Sequence, residues 1–240
     1  MDNKPLMASY TRHSHALLTN LLSHLNTGLQ LPPNTLQPYH DISLASGDHI
    51  RFVHSPAPSH ANAAAPSNQP GTASLGAHTD FGSLTLLFNR LGGLQVLLPP
   101  NIDADNATSD APSAAGTWAY VRPLPGHAIV NLGDALVKFS GGVLRSNIHR
   151  VAMPPGKQAE LSRLSLVYFM RPGDNVILKR LSGGIIPPIP AREEEEDVTA
   201  KKWIIDKATA GMKLMAERGK NRETNKQLID LQEGASGGYQ

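Results

Sequence analysis

The sequence has 240 residues, of which 40% are hydrophobic, which is enough for a folded core and argues against a wholly disordered chain. The absence of cysteine excludes disulfides, thiolate metal ligands and cysteine nucleophiles, and it favours a reducing, cytoplasmic location. A net charge of +2, with no dense basic run and no apolar stretch of signal-peptide or membrane-spanning type, argues against nucleic-acid and membrane partners.

The amino-terminal segment is predicted to be helical. Leucines recur at helical spacing between Ser9 and Thr27, and Gly28 is placed to end the helix. The next clear element is "HIRFVHS", His49 to Ser55, which its β-branched and aromatic residues predict to be a strand. We therefore assign residues 1–48 to an amino-terminal helical segment.

The middle of the chain is a series of short strand candidates separated by Gly and Pro turns. After the first strand the candidates are "SLTLLF", "LQVLL", "TWAYVRPL", "HAIVNL", "SNIHRVAM" and "RLSLVYFM". Two stretches rich in Pro, Ala and Ser, 56–73 and 99–116, have no usable period and are predicted to be surface loops. Many short strands with such turns predict a sandwich or a barrel-like jelly roll, formed by residues 49–190.

The carboxy-terminal part, residues 191–240, is predicted to contain one helix followed by a flexible tail. Acidic residues precede an imperfect apolar stripe that runs from Val198 to Met215, which suits the start of a helix. The last residues, "GASGGYQ", are predicted to be frayed.

The stretch "GAHTDFGSLTLLF" carries the first chemical signal. It places His78 and Asp80 two residues apart at the start of an apolar run, and residues two apart in extended backbone point to the same side. The imidazole and the carboxylate can therefore share one metal ion. By itself a His-x-Asp pair is a weak signal.

A third ligand is expected from a distant strand, and His149 in "RSNIHRVAMPP" is the best candidate. Two imidazoles and one carboxylate make the facial triad of non-haem Fe(II) oxygenases, with the other metal positions open. A catalytic zinc site can use the same ligands, so the triad leaves the metal undecided.

A second signal lies in "SRLSLVYF", where Arg163 and Ser165 are again two residues apart. A guanidinium beside a hydroxyl, within an apolar run, can hold a carboxylate through charge-assisted hydrogen bonds. A carboxylate anchor near a metal triad indicates an acidic cosubstrate that reaches the metal. Zinc hydrolases have no such requirement, which favours iron.

Together, "GAHTDFGSLTLLF", "GGLQVLLP", "TWAYVRPLPGHAIVNLGDAL", "SNIHRVAMPPG" and "RLSLVYFMRP" resemble the Fe(II)- and 2-oxoglutarate-dependent dioxygenases of the isopenicillin-N-synthase-like superfamily, fungal members in particular. The resemblance runs from "HIRFVHSPAP" to about Pro172, with the motifs in the family's order.

The resemblance implies a mainly β protein with flanking helices and a double-stranded β-helix (jelly-roll) core. It implies Fe(II) held by His78, Asp80 and His149, and 2-oxoglutarate held at its distal carboxylate by Arg163 and Ser165. With O2 as the second cosubstrate, the enzyme would release succinate and CO2. It would hydroxylate, desaturate or cyclise a small organic substrate, in secondary metabolism.

Two departures from the family pattern matter. Ser55 stands where family members often carry a Tyr that helps to hold the cosubstrate. The amino-terminal region that usually covers the core is short here, so we expect an uncovered apolar face and either self-association or a marginally stable monomer. The alternatives are a catalytically silent jelly-roll binding or regulatory protein and a zinc-dependent hydrolase.

Two groups of polar residues in the sequence are predicted to have structural roles and no role in catalysis. Asn131 and Asp134, which are polar within "VNLGDAL", are predicted to form a turn that bonds to its own backbone. Most of the histidines other than His78 and His149 are predicted to lie at the surface.

Overall fold

The computed structural model describes residues 2–57, 75–98, 117–190 and 196–210. The predicted loops 56–73 and 99–116, the end of the predicted carboxy-terminal helix beyond residue 210 and the predicted tail lie wholly or almost wholly outside the described residues. The domain boundaries drawn from the sequence stay predictions.

The described part of the chain begins with a long helix and continues as a series of short strands. The helices are α1 (Lys4–Gly28), α2 (Asp134–Phe139) and α3 (residues 200–210), with short 3-10 helices at Gln37–His40 and Gly156–Glu160. The strands are β1 (His49–Ser55), β2 (Leu75–His78), β3 (Leu84–Asn89), β4 (Leu94–Leu98), β5 (Thr117–Tyr120), β6 (Ile129–Leu132), β7 (His149–Val151) and β8 (Arg163–Met170).

The strands form two four-stranded antiparallel sheets. One has the order β1-β8-β3-β6 and the other has the order β2-β7-β4-β5. Most strands that follow one another in sequence, such as β3 and β4, belong to different sheets, whereas β4 and β5 pair with each other. The two sheets with flanking helices confirm the predicted jelly-roll fold.

The larger core lies between the first sheet and the helices. Leu18 and Leu22 of α1 are completely buried, and they join a cluster that contains Leu86 of β3 and Tyr168 of β8. The apolar side chains on α1 recur at helical spacing, which puts them on one face of that helix. The helix therefore covers the part of the outer face of the first sheet that contains Leu86 and Tyr168.

A smaller core joins the two sheets. Leu87 and Val167 of the first sheet pack with Leu94 of the second. Leu86 and Leu87 belong to different clusters because successive side chains of a strand point to opposite faces. Along β8, Arg163 and Ser165 are buried and share a face with Val167, so they point toward the space between the sheets.

Several predicted strands have the predicted bounds, among them His49–Ser55, Leu94–Leu98 and Arg163–Met170. Besides the two short 3-10 helices, two elements were not among the predicted ones. α2 has only six residues, which is too short to show a helical period. β2 has four, and its extended conformation is stabilised by pairing with β7, far away in the sequence.

Among the residues that the structure describes, no helix is both long enough and apolar enough to cross a bilayer.

Candidate metal centre

The pairing of β2 with β7 brings the two candidate histidine ligands together. His78 is the last residue of β2, and His149 is the first residue of β7 and lies directly opposite it in the register. Asp80 follows two residues after His78, in the segment that leads into β3. All three predicted ligands therefore lie at one end of this strand pair.

The three side chains converge on one point. Each offers a ligand atom within 4.8 Å of the ligand atoms of the other two. Nε2 of His78 is 3.9 Å from Oδ1 of Asp80, and Nε2 of His149 is 3.8 Å from the same oxygen. Atoms this far apart do not hydrogen bond, but one ion about 2 Å from each of them can bridge them.

Backbone contacts select the tautomer of both histidines. Nδ1 of His78 is 2.8 Å from the carbonyl oxygen of Gly76, and Nδ1 of His149 is 3.0 Å from that of Asn147. A carbonyl oxygen can only accept, so Nδ1 carries the proton and donates in each ring. The lone pair then lies on Nε2, the atom that faces Asp80 and the atom a metal would use.

The protonation state of the site also suits a metal. Burial lowers the pKa of His78, and the neighbouring His149 lowers it further. The imidazole of His78 is therefore neutral near pH 7, which is the form that binds a metal ion. Asp80 is only 9% exposed, so this carboxylate needs partners that stabilise its charge.

Two partners on neighbouring strands hold the second oxygen of Asp80. Oδ2 accepts hydrogen bonds of 2.7 Å from Oγ1 of Thr85 and of 2.7 Å from Nδ2 of Asn131. Thr85 on β3 and Asn131 on β6 are direct partners in the register. They orient the carboxylate so that Oδ1 faces the two histidines. Two imidazole nitrogens and a supported carboxylate oxygen fit the ligand preferences of Fe(II).

The predicted turn at Asn131 and Asp134 is wrong. In the described part of the chain, the side chains of both residues bond to distant residues: Asn131 to Asp80, and Asp134 to Thr79 and Ser146. Sequence periodicity could not reveal these partners, because they come from strands that meet only in the fold. The available signal in the sequence was Asn131 itself, a polar residue within the apolar run of β6, which indicates a polar partner in the interior.

The two candidate cosubstrate residues lie together at the start of β8. Arg163 is 4% exposed and Ser165 is 9% exposed. Nε of Arg163 donates a hydrogen bond of 2.9 Å to the carbonyl oxygen of Gly92, and Nη1 donates one of 3.4 Å to Oγ of Ser165. The guanidinium is thus held by its inner nitrogen, and burial lowers its pKa without removing its charge near pH 7.

The turn between β3 and β4 packs closely on this arginine. A Cβ added to Gly93, where φ is +108°, would lie 2.7 Å from the carbonyl oxygen of Ala152 and 3.4 Å from Nε of Arg163. Only glycine fits this backbone without strain. On the neighbouring strand β1, Ser55 lies directly opposite Arg163 in the register of β1 and β8.

The prediction that most other histidines lie at the surface needs correction at two positions. His15 is 7% exposed and His40 is 2% exposed. Nδ1 of His15 is 3.0 Å from the hydroxyl of Tyr168, and Nε2 of His40 is 2.6 Å from Oγ of Ser83. Hydrogen bonds to distant polar groups offset the cost of burying these two rings. His13, His24, His54 and His127 are exposed, as predicted.

Comparison with known proteins agrees with this geometry. Residues 46–172, more than half of the chain, match the 2OG-Fe(II) oxygenase superfamily, which uses Fe(II) and 2-oxoglutarate. A 2-oxoglutarate-dependent dioxygenase of Aspergillus fumigatus is 32% identical over 84% of this chain and 52% of its own length. The 2-oxoglutarate-dependent dioxygenase iboH of Amanita muscaria is 30% identical over 84% of this chain and 82% of its own length.

The fold has a counterpart among solved structures. The crystal structure of a full-length Neurospora crassa protein in complex with alpha-KG superimposes with a TM-score of 0.70 at 24% identity, and the match covers 87% of this chain and 57% of that one. This chain spans about half the length of several curated relatives that it matches. From the superfamily match and the fungal relatives we conclude that the chain belongs to the 2OG-Fe(II) oxygenase superfamily, as its motifs predicted.

Proposed function

We propose that this chain carries the active centre of an Fe(II)- and 2-oxoglutarate-dependent dioxygenase that oxidises a small organic substrate. The observation that carries the proposal is the convergence of His78, Asp80 and His149 to within 4.8 Å, with their other polar atoms already hydrogen bonded. A site prepared in this way loses little freedom when it binds an ion. The superfamily membership favours iron over zinc.

In this proposal each ligand has a defined atom toward the metal. His78 and His149 use Nε2, because Nδ1 of each ring donates to a carbonyl oxygen. Asp80 uses Oδ1, because Oδ2 accepts from Thr85 and Asn131. Bound Fe(II) supplies the activation of O2 that couples decarboxylation of 2-oxoglutarate, to succinate and CO2, with oxidation of the substrate.

Arg163 and Ser165 are proposed to hold the distal carboxylate of 2-oxoglutarate. An arginine has five N–H groups, and the contacts with Gly92 and Ser165 account for two of them within the described residues. The remaining N–H groups and the serine hydroxyl can donate to a carboxylate in a buried place, where such charge-assisted bonds are strong. Ser55, the cross-strand neighbour of Arg163, contributes a short side chain here.

The proposed substrate is a small molecule of secondary metabolism, and the outcome is hydroxylation, desaturation or ring chemistry. The lack of cysteine agrees with the proposed cytoplasmic location. The competing function, a jelly-roll protein that binds its ligands without turnover, has the same site residues and differs only in the reaction.

Anaerobic reconstitution tests the proposal. Purified protein with Fe(II) and 2-oxoglutarate should show the weak visible charge-transfer band of the chelate, and protein with Zn(II) in its place should not. After admission of O2, a screen of compound classes should identify at least one that accelerates succinate release. A protein that binds Fe(II) and 2-oxoglutarate but releases no succinate above a protein-free control would instead support the silent binding protein.

A further inference from the structure

The carboxylate of Asp134 lies where three segments of the chain meet. Oδ2 accepts a hydrogen bond of 3.0 Å from Oγ1 of Thr79, and Oδ1 accepts one of 2.5 Å from Oγ of Ser146. Nζ of Lys207 on α3 lies 2.6 Å from Oδ2. The side chain of Asp134 is only 12% exposed, so these contacts occur in a largely buried place.

Two of these partners belong to the segments that carry the candidate metal ligands. Thr79 stands between His78 and Asp80, and Ser146 precedes His149 by three residues. The backbone N–H of Asp134 also donates a hydrogen bond of 2.8 Å to the carbonyl oxygen of Asp80. Asp134 therefore contacts the first ligand segment through its side chain and its backbone, and the second through its side chain.

We propose that Asp134 is a positioning residue for the metal centre. Its carboxylate joins the 78–80 segment to the 146–149 segment and so fixes the distance between their ligand atoms before a metal ion binds. The inference rests on the proposed function. His78 and His149 also meet through the pairing of β2 with β7, but that pairing is irregular between Leu75 and His78. The hydrogen bonds from Thr79 and Ser146 to Asp134 form a second connection between the two ligand segments, which compensates for this irregularity.

The groups that surround residue 134 favour a carboxylate there. Thr79, Ser146 and Lys207 all present donors to Asp134, and an ionised carboxylate is an acceptor at both oxygens. An asparagine has the same shape, but its NH2 group cannot accept, so a hydroxyl that faces it would have to turn and accept instead, and the negative charge that faces Lys207 is lost. Asp134→Asn should therefore weaken at least one connection while it leaves the volume of the site unchanged.

Lys207 adds charge compensation and a link to α3. Nζ of Lys207 also lies 4.6 Å from the centre of the Trp203 ring, and Trp203 packs against the larger core. The lysine side chain is 39% exposed, so water screens its attraction to Asp134. We expect Lys207 to matter less to the metal centre than the two hydroxyl groups do.

A purely structural role is the alternative. Asp134 is the first residue of α2, and an acidic residue at a helix start is favoured by the helix dipole. That role stabilises the fold, but it gives no reason for the affinity of the folded protein for metal to depend on Thr79 or Ser146. Metal affinity, measured well below the unfolding temperature of each variant, separates the two roles.

The experiment measures anaerobic Fe(II) affinity by titration calorimetry, together with the melting temperature of each metal-free variant. Because changes to residues that orient metal ligands typically cost about 10- to 100-fold in metal affinity, we expect a loss in this range for Asp134→Asn. Thr79→Val, which removes only a hydroxyl, should weaken binding severalfold, and Thr79→Ser should bind as the wild type does. Asp206→Asn is the matched control, because Asp206 pairs with Lys202 on the surface of α3.

Each outcome has a defined meaning. If wild type, Asp134→Asn and Thr79→Val bind Fe(II) equally well, the positioning role is wrong, even where the melting temperature of Asp134→Asn falls. If Asp134→Asn does not fold, the comparison of Thr79→Val with Thr79→Ser decides alone. If the wild type itself binds no Fe(II), the proposed function fails, and this inference fails with it.

Discussion

Asn131 donates a hydrogen bond of 2.7 Å to Oδ2 of Asp80, while the other oxygen of that carboxylate lies 3.9 Å from His78 and 3.8 Å from His149. The segment between β2 and β3 thus supplies the ligand, and a side chain of β6 helps to determine its orientation. The same hydrogen bond satisfies a polar atom of a nearly buried side chain, which would be costly to bury without a partner.

Replacement of Asn131 should weaken the metal site without removing a ligand. Asn131→Leu has a similar volume but no donor, so Asp80 would rotate more freely and bind metal less well. We expect Fe(II) affinity to fall about 10- to 100-fold, as is typical when a ligand loses its supporting hydrogen bond. Titration calorimetry under anaerobic conditions measures the loss. Equal affinity of Asn131→Leu and wild type would show that Thr85 alone orients the carboxylate.

Removal of a ligand should have a larger effect. His149→Ala should abolish stoichiometric Fe(II) binding and any turnover, because two ligands hold the ion too weakly. His127→Ala is the matched control, because His127 makes the same local contact, from Nδ1 to the carbonyl oxygen two residues earlier, on an exposed turn. Metal analysis after desalting measures the iron content of both variants. Full iron content in His149→Ala would exclude that residue as a ligand.

Loss of Arg163 should affect the cosubstrate and spare the metal. Truncation of a buried charged anchor costs about 2–5 kcal/mol, which is roughly thirtyfold to several thousandfold in affinity. Arg163→Ala should raise the 2-oxoglutarate requirement by such a factor, and Arg163→Lys should restore part of it, because lysine lacks the planar fork. The exposed Arg90 provides the control variant, Arg90→Ala. A 2-oxoglutarate titration of Arg163→Ala that overlays the wild type would contradict this role.

Acid should destabilise the protein through His40. Burial lowers the pKa of His40 from 6.5 to about 4, although the carbonyl of Leu36 acts in the opposite direction. Between these values the unfolded chain binds a proton that the folded protein does not, so stability falls as the pH drops below about 6.5 and levels off below about 4.

Denaturant unfolding of the metal-free protein measures this effect. From pH 7 to pH 5, His40 should contribute a loss of about 2 kcal/mol in the free energy of unfolding. His40→Gln, which cannot take up a proton, should lose that much less than the wild type over the same interval. Metal-free protein is used so that release of a bound ion at low pH does not contribute to the difference. Identical losses for the two proteins would mean that His40 protonates without disturbing its contact with Ser83.

The sequence predicts either self-association or a marginally stable monomer, and the first of these has a candidate surface. Phe52 is 63% exposed and Leu164 is 66% exposed, on adjacent antiparallel strands β1 and β8. We expect concentration-dependent association in light scattering, reduced in the double variant Phe52→Ser, Leu164→Ser. Leu124→Ser, at a position that is 49% exposed on a turn, is the control. A wild-type protein that stays monomeric at all concentrations would contradict self-association, and a high melting temperature of that monomer would contradict the alternative as well.

Much of the fold follows from local patterns in the sequence. Strands β1, β4 and β8 could be bounded because β-branched and aromatic runs end at turn residues, and such signals are short in range. The helical spacing of leucines predicted α1 in the same way. The candidate ligands His78 and Asp80, and the pair Arg163 and Ser165, could be chosen because alternation along an extended chain puts residues two apart on one side.

The support of the site could not be predicted in this way. The bonds from Asn131 and Thr85 to Asp80, and from Thr79 and Ser146 to Asp134, join segments that are distant in sequence and meet only through strand register. The same holds for the burial of His15 and His40, whose partners Tyr168 and Ser83 come from other elements. Residue type and spacing along the chain determine which groups can bind a metal or a carboxylate. The pairing of strands and the packing of helices determine which polar groups have partners, because hydrogen bonds depend on distances in space and not on separation along the chain.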